Sequence, residues 1–75
     1  MIQAKDITPE LIRKYRDKYK VKFYMMANSV GISNTAFSAN LRHMEKGVPV
    51  FSFCDRMAEY FNRKEITITD IEGEK

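Results

Sequence analysis

Apolar side chains return every three or four positions along most of this chain, the spacing of helices that bury one face. Leu11, Ile12, Tyr15 and Tyr19 form the first stripe. Thr8 precedes it as a good N-cap, Pro9 fits the first helical position, and Glu10 complements the helix dipole. The spacing predicts a helix from this cap to about Tyr19, with Val21 plugging the link to the next. A second helix is predicted over about Phe23–Ser29, with Lys22 as a poor N-cap because Lys cannot accept amide hydrogen bonds. A third runs from Ser33 or Asn34 to Glu45, carrying Phe37, Leu41 and Met44 inward at i, i+4, i+7. Gly47 is placed to end it, and Pro49 keeps it from resuming early. The fourth helix covers about Phe51–Phe61, with Phe53, Met57 and Tyr60/Phe61 on its apolar face.

The tail Glu65–Ile71 reads two ways. Its alternating β-branched residues have strand chemistry. Equally, Thr67 caps a short helical turn carrying Ile68 and Ile71, which is the preferred reading because nothing else in the chain offers a strand partner. The expected organisation is an N-terminal arm at 1–7, one domain over 8–72 and a tail at 73–75.

The turn between the second and third helices carries the strongest signal. Ala27 is small where two helices cross closely. Four residues on, Gly31 supplies the positive φ of a sharp turn, Ile32 plugs the corner, and Ser33 caps the next helix. Phe37 and Leu41 then face the preceding helix. This is the sequence form of a helix-turn-helix, whose second helix enters the DNA major groove.

Composition narrows the alternatives. Seventy-five residues with 44% hydrophobic content make one small folded domain. No apolar run approaches the roughly 20 residues of a membrane span, and MIQAKD lacks the apolar core of a signal peptide, so a cytoplasmic protein without membrane contact is expected. Cys54, the only cysteine, reads as a small packed residue. One cysteine and one histidine, His43, cannot build a structural zinc site, so no metal is expected. No glycine-rich phosphate loop and no nucleophile-base set is present, so neither an enzyme, a cofactor nor a small-molecule substrate is expected. The net charge of +3 is unevenly spread. Residues 1–24 hold seven Lys/Arg against three acids, and residues 51–75 hold four against six. A basic front and an acidic back suit a protein that turns one face to phosphates.

On Ala27, Gly31-Ile32-Ser33, Phe37-Ser38 and Leu41 the chain resembles the Cro/repressor-type helix-turn-helix family of bacterial and phage regulators. Pro49-Val50-Phe51, Met57-Ala58-Glu59-Tyr60-Phe61 and Ile66-Thr67-Ile68 extend the resemblance over about residues 8–72. It implies an all-α fold, a compact lambda-repressor-like bundle of about five short helices with a central helix-turn-helix. Three departures stand out. Lys22-Phe23 replaces the family's Ser/Thr-Gln at the start of the second helix. The third helix and its loop run two or three residues long at Arg42-His43-Met44. Its outward face holds no Gln and a single Arg.

The expected function is a sequence-specific transcriptional regulator, a repressor of phage or mobile-element type, working in a bacterial or phage-infected cell. Its helix 34–45 would lie in the major groove of double-stranded DNA. Base contacts are expected from Asn34, Thr35, Ser38, Ala39 and Arg42, and phosphate contacts from Lys20, Lys22, Ser33 and Lys46. A homodimer is expected through Tyr60, Phe61, Ile66, Ile68 and Ile71. The competing expectation is a protein-interaction module of the same fold, such as an anti-repressor or a phage-encoded inhibitor, for which Tyr24, Met25 and Met26 are suited.

Overall fold

In the computed structural model, which describes residues 1–73, the helices begin where the local chemistry allows. The chain folds into α1 (Pro9–Tyr19), α2 (Phe23–Val30), α3 (Asn34–Glu45), α4 (Phe51–Arg63) and α5 (Ile68–Glu72), after a 3-10 turn at Ala4–Asp6. The Thr8 hydroxyl accepts the Leu11 amide at 3.1 Å, and the Ser33 hydroxyl accepts the Ala36 amide at 3.0 Å. Thr67 and Asp70 close a reciprocal capping box, each backbone N–H donating to the other's side chain at 2.9 and 3.1 Å. Hydrogen bonds from Thr67, first from its backbone amide, hold the Asp70 carboxyl below its ordinary range, and Lys18 adds to this. The tail is therefore helical, and no strand occurs among the described residues. Of the tail assigned to 73–75, residues 74–75 lie outside the described residues.

Four helices end in the same way. The amide of Val21, Ile32, Val48 or Ile66 reaches back five residues to the carbonyl of Arg16, Ala27, His43 or Phe61, at 2.9–3.2 Å. The residue before each amide is left-handed: Lys20 (φ 57°), Gly31 (φ 79°), Gly47 (φ 83°) and Glu65 (φ 57°). Each helix thus closes with a left-handed residue followed by a β-branched apolar one; Val21, Ile32 and Ile66 turn back onto the bundle, whereas Val48 stays exposed. Gly31 and Gly47 take this conformation freely. At Lys20 and Glu65 it costs about 1 kcal/mol, which the corner packing of Val21 and Ile66 offsets.

One core gathers the buried faces of all five helices, and no polar or charged residue is buried among the described residues. Phe37 is its hub at 0% exposure, with ring centroids 5.4 Å from Phe23 and 5.2 Å from Phe53. Tyr15 packs 4.9 Å from Phe61 and stacks on Tyr19 at the same distance. The radius of gyration, 11.4 Å, is the about 11 Å of a fully folded chain of this length.

The first seven residues are not a separate arm. Ile2 and Ile7 are buried in the core. The Asn62 side chain accepts the Ile2 amide at 2.9 Å and donates to the Ile2 carbonyl at 2.8 Å, clamping the segment to α4. These residues therefore belong to the domain, because two isoleucines and one well-placed amide hold them there.

The hydroxyls of Tyr15 and Tyr60 meet at 2.8 Å inside the core. Burial, then the bond to Tyr60, pushes the Tyr15 phenol well above its ordinary pKa, so Tyr15 stays neutral at any physiological pH. Tyr60→Phe strands the Tyr15 hydroxyl and is expected to cost about 1–3 kcal/mol. The double change Tyr15→Phe/Tyr60→Phe removes both partners and is expected to cost less than the two single changes added. Urea midpoints for the four proteins check this. Strict additivity would mean that the two hydroxyls do not depend on each other.

Candidate nucleic-acid interface

The corner between α2 and α3 is built from small and branched residues. Ala27 is buried where the two helices cross, Ile32 packs half-buried in the bend, and Gly31 makes the turn. A Cβ at Gly31 would meet the Arg56 guanidinium at 3.5 Å, an ordinary contact, so the positive φ and not crowding is what requires glycine here. Arg56 itself donates to the Val30 carbonyl at 2.7 Å, fastening α4 to the end of α2.

This corner fixes α3 with Phe37 and Leu41 inward and its opposite face outward. Asn34, Thr35 and Arg42 are exposed, and Ser38 and Ala39 are half-buried. Among the described residues, none of the Asn34, Thr35, Ser38 and Arg42 side chains hydrogen-bonds or ion-pairs within the chain. Their donors and acceptors are left for an external partner or water. The helix is 12 residues long, about 18 Å, and its outward side chains are small enough for its backbone to approach a groove about 12 Å wide.

The phosphate candidates lie around this helix and all are exposed. Lys20 and Lys22 flank the link into α2, whose first turn has no side-chain cap. Lys46 stands at the end of α3. Ser33 spends its acceptor on the Ala36 amide and keeps its hydroxyl hydrogen to donate. The Arg16 guanidinium lies 4.7 Å over the Phe23 ring, which in turn packs on Phe37 of α3. Phe23 thus acts as a shelf for a cation of α1 at the start of α2, and the same guanidinium donates to the Asp17 carboxylate at 3.0 Å.

Two further features mark this region, one of them the face on which the sequence singled out Tyr24 and Met25; Met26, named with them, is buried in the core. Between Asp17 and Asp55 the chain holds one acid, Glu45, against five Lys/Arg. Arg13 of α1 forms a salt bridge with that one acid. The helix-turn-helix half is thereby left with uncompensated positive charge, a pattern legible in the sequence once charge is counted over the middle rather than the ends. A second feature is the outward face of α2. Tyr24, Met25, Asn28 and Ser29 line a recess of about 500 Å³ that runs to Ser33 and Asn34. Tyr24 is 56% exposed. The signal for it is the i, i+4 spacing of Tyr24 with Asn28 and of Met25 with Ser29.

The residues expected to form a dimer surface are used differently. Tyr60, Phe61 and Ile71 are buried within this one copy, against α1 and its neighbours. Ile66 and Ile68 pack half-buried on the same core. The apolar surface that motivated the assignment is already covered, so the tail offers no free apolar face. Cys54 is half-buried beside the core, and burial, with Asp55, raises its thiol pKa, which keeps it protonated and unreactive. His43 is exposed on α3. Among the described residues no cluster of three His, Cys, Asp or Glu side chains forms a metal site, and no helix is long and apolar enough to cross a membrane. No protein-family model matches the chain, nor does any curated protein or any solved structure.

Proposed function

We propose that this chain is a sequence-reading DNA-binding protein, a transcriptional regulator similar to Cro/repressor-type proteins of bacteria and phages, that lays α3 in the major groove. The observation that carries this reading is the outward face of α3: small, uncharged up to Arg42, unpaired, and held by a left-handed glycine turn. An ordinary exposed helix carries Lys and Glu in such positions. Asn34 has the geometry to bond adenine bidentately, Ser38 and Thr35 suit several base edges, and Ala39 suits a thymine methyl. Arg42, one turn on, suits a guanine or a phosphate. Lys20, Lys22, Ser33 and Lys46 would set affinity and register without reading sequence. One α3 reaches only a few base pairs, so selective reading requires a second copy on the neighbouring half-site.

The protein-interaction reading is favoured by one feature, the exposure of Tyr24 and Met25 beside the same turn. Salt separates the two. For DNA, affinity falls with a log-log slope of about −0.9 per phosphate contact, hence about −3 for three lysines per copy. Fluorescence anisotropy of the purified protein on DNA from its own gene neighbourhood, between about 50 and 200 mM salt, is expected to give that slope. A near-zero slope, or equal affinity for unrelated DNA at every salt concentration, counts against sequence reading and for the protein partner.

A further inference from the structure

We infer that Arg13 of α1 is a positioning residue for the α3 interface: by holding the Glu45 carboxylate it keeps Arg42, one helical turn before Glu45, free for DNA. The inference rests on the DNA reading above. Glu45 is the last residue of α3, where an acid opposes the helix dipole. Local chemistry therefore argues against an acid at this position, and its partner comes from another helix. The Arg13 guanidinium donates to the Glu45 carboxylate and forms an ion pair with it. Arg42 and Glu45 are three residues apart on α3, a spacing that makes side chains neighbours on a helix surface and lets opposite charges pair. Among the described residues, however, Arg42 has no ion-pair partner, and Glu45 has Arg13 alone.

The pair contributes little to stability, since both side chains are partly exposed. Its effect is on the competition for Arg42. At about 100° per residue, Glu45 lies about 60° round the helix from Arg42 and about 20° from Ser38, so it borders the outward face. Glu45 is the one acid between Asp17 and Asp55, and hence the one carboxylate of α2 and α3 that could draw Arg42 away from a base or a phosphate. Turned towards α1 and neutralised there, it does not. Arg13 thus acts on DNA binding through Glu45 and Arg42, with no contact of its own to DNA. Releasing Glu45 sets an attraction of the size of a surface helix pair against Arg42's contact, about twofold in affinity for each copy. On a site holding two copies the loss is about fourfold.

Fluorescence anisotropy on the DNA the protein prefers, at about 50 mM salt, tests this through the dependence of one substitution on two others. Arg13→Gln is expected to weaken binding about fourfold, with a thermal melt near that of wild type. Arg13→Lys keeps the charge and is expected to bind as wild type does. Glu45→Gln is expected to bind at least as tightly as wild type, and adding Arg13→Gln to it should cost nothing further. In an Arg42→Ala background, Arg13→Gln should likewise lose its effect. Should Arg13→Gln melt early, Arg13→Met, which keeps the aliphatic stem, should show the same pattern. A direct contact from Arg13 to phosphate, or net charge acting at a distance, would keep the loss in both backgrounds and overturn the inference. Wild-type affinity in Arg13→Gln and Arg13→Met would overturn it too. Failure of the DNA reading looks different: Arg42→Ala alone would then leave binding unchanged, and the inference would fall with that reading.

Discussion

Phe37→Ala is expected to lower the melting temperature by about 15–30 °C, enough to leave little folded protein at 37 °C. Replacing a fully buried Phe with Ala costs about 3–5 kcal/mol, the lost transfer energy plus the cavity left behind. In a domain of this size each kcal/mol moves the melting temperature by about 4–8 °C. The reserve is small, since a core from about 75 residues seldom supplies more than about 3–5 kcal/mol. The position also resists repair. Phe37 lies against Phe23 of α2 and Phe53 of α4, and the Arg16 guanidinium is stacked over Phe23. Removing the ring therefore loosens three helices and the cation shelf together. Circular dichroism during a thermal melt reads the result. A midpoint within about 5 °C of wild type would show that the cavity collapses and that Phe37 is not the hub.

The same residue shows what a one-dimensional pattern can reveal. Its inward direction follows from helical spacing with Leu41 and Met44, and the bends around it follow from Thr8, Gly31, Ser33, Gly47 and Thr67, whose side-chain or backbone chemistry acts within four residues. Such local rules place all five helices to within two residues of where they are. What they miss is contact between distant segments. The Asn62 clamp on Ile2 spans 60 residues and has no local signature, so the first residues read as an arm. Lys20 and Glu65 take left-handed conformations although neither is glycine, because Val21 and Ile66 hold the corners from the other side. Tyr60 and Phe61 read as free apolar surface because their pattern does not say that α1 covers them. Phe51, by contrast, lies off the apolar face that Phe53, Met57 and Tyr60/Phe61 define, and it is exposed as that spacing implies. In the candidate interface, the α3 face was legible from spacing alone, whereas Arg13 against Glu45 and Arg16 on Phe23 are products of the packing.

Changing Asn34, Ser38 and Arg42 together to Ala is expected to abolish sequence-selective DNA binding while leaving the melt near that of wild type. Each good base contact is worth about 1–3 kcal/mol, so losing three removes on the order of 10²–10⁶ in affinity for the preferred site. Non-specific affinity should fall much less, because Lys20, Lys22 and Lys46 remain. Stability should hold because the three positions make no hydrogen bond or ion pair within the chain, and Ala is at least as good a helix former as the residues it replaces. The contrasting variant is Lys22→Ala. It should weaken preferred and unrelated DNA about equally and lower the salt slope by about 1. The two variants thus act on different quantities, the ratio of specific to non-specific binding and the slope with salt. Competition binding against unrelated DNA at two salt concentrations measures both. If the triple variant keeps the wild-type preference, α3 is not the reader, and the exposed Tyr24–Met25 face of α2 becomes the first place to look for a protein partner.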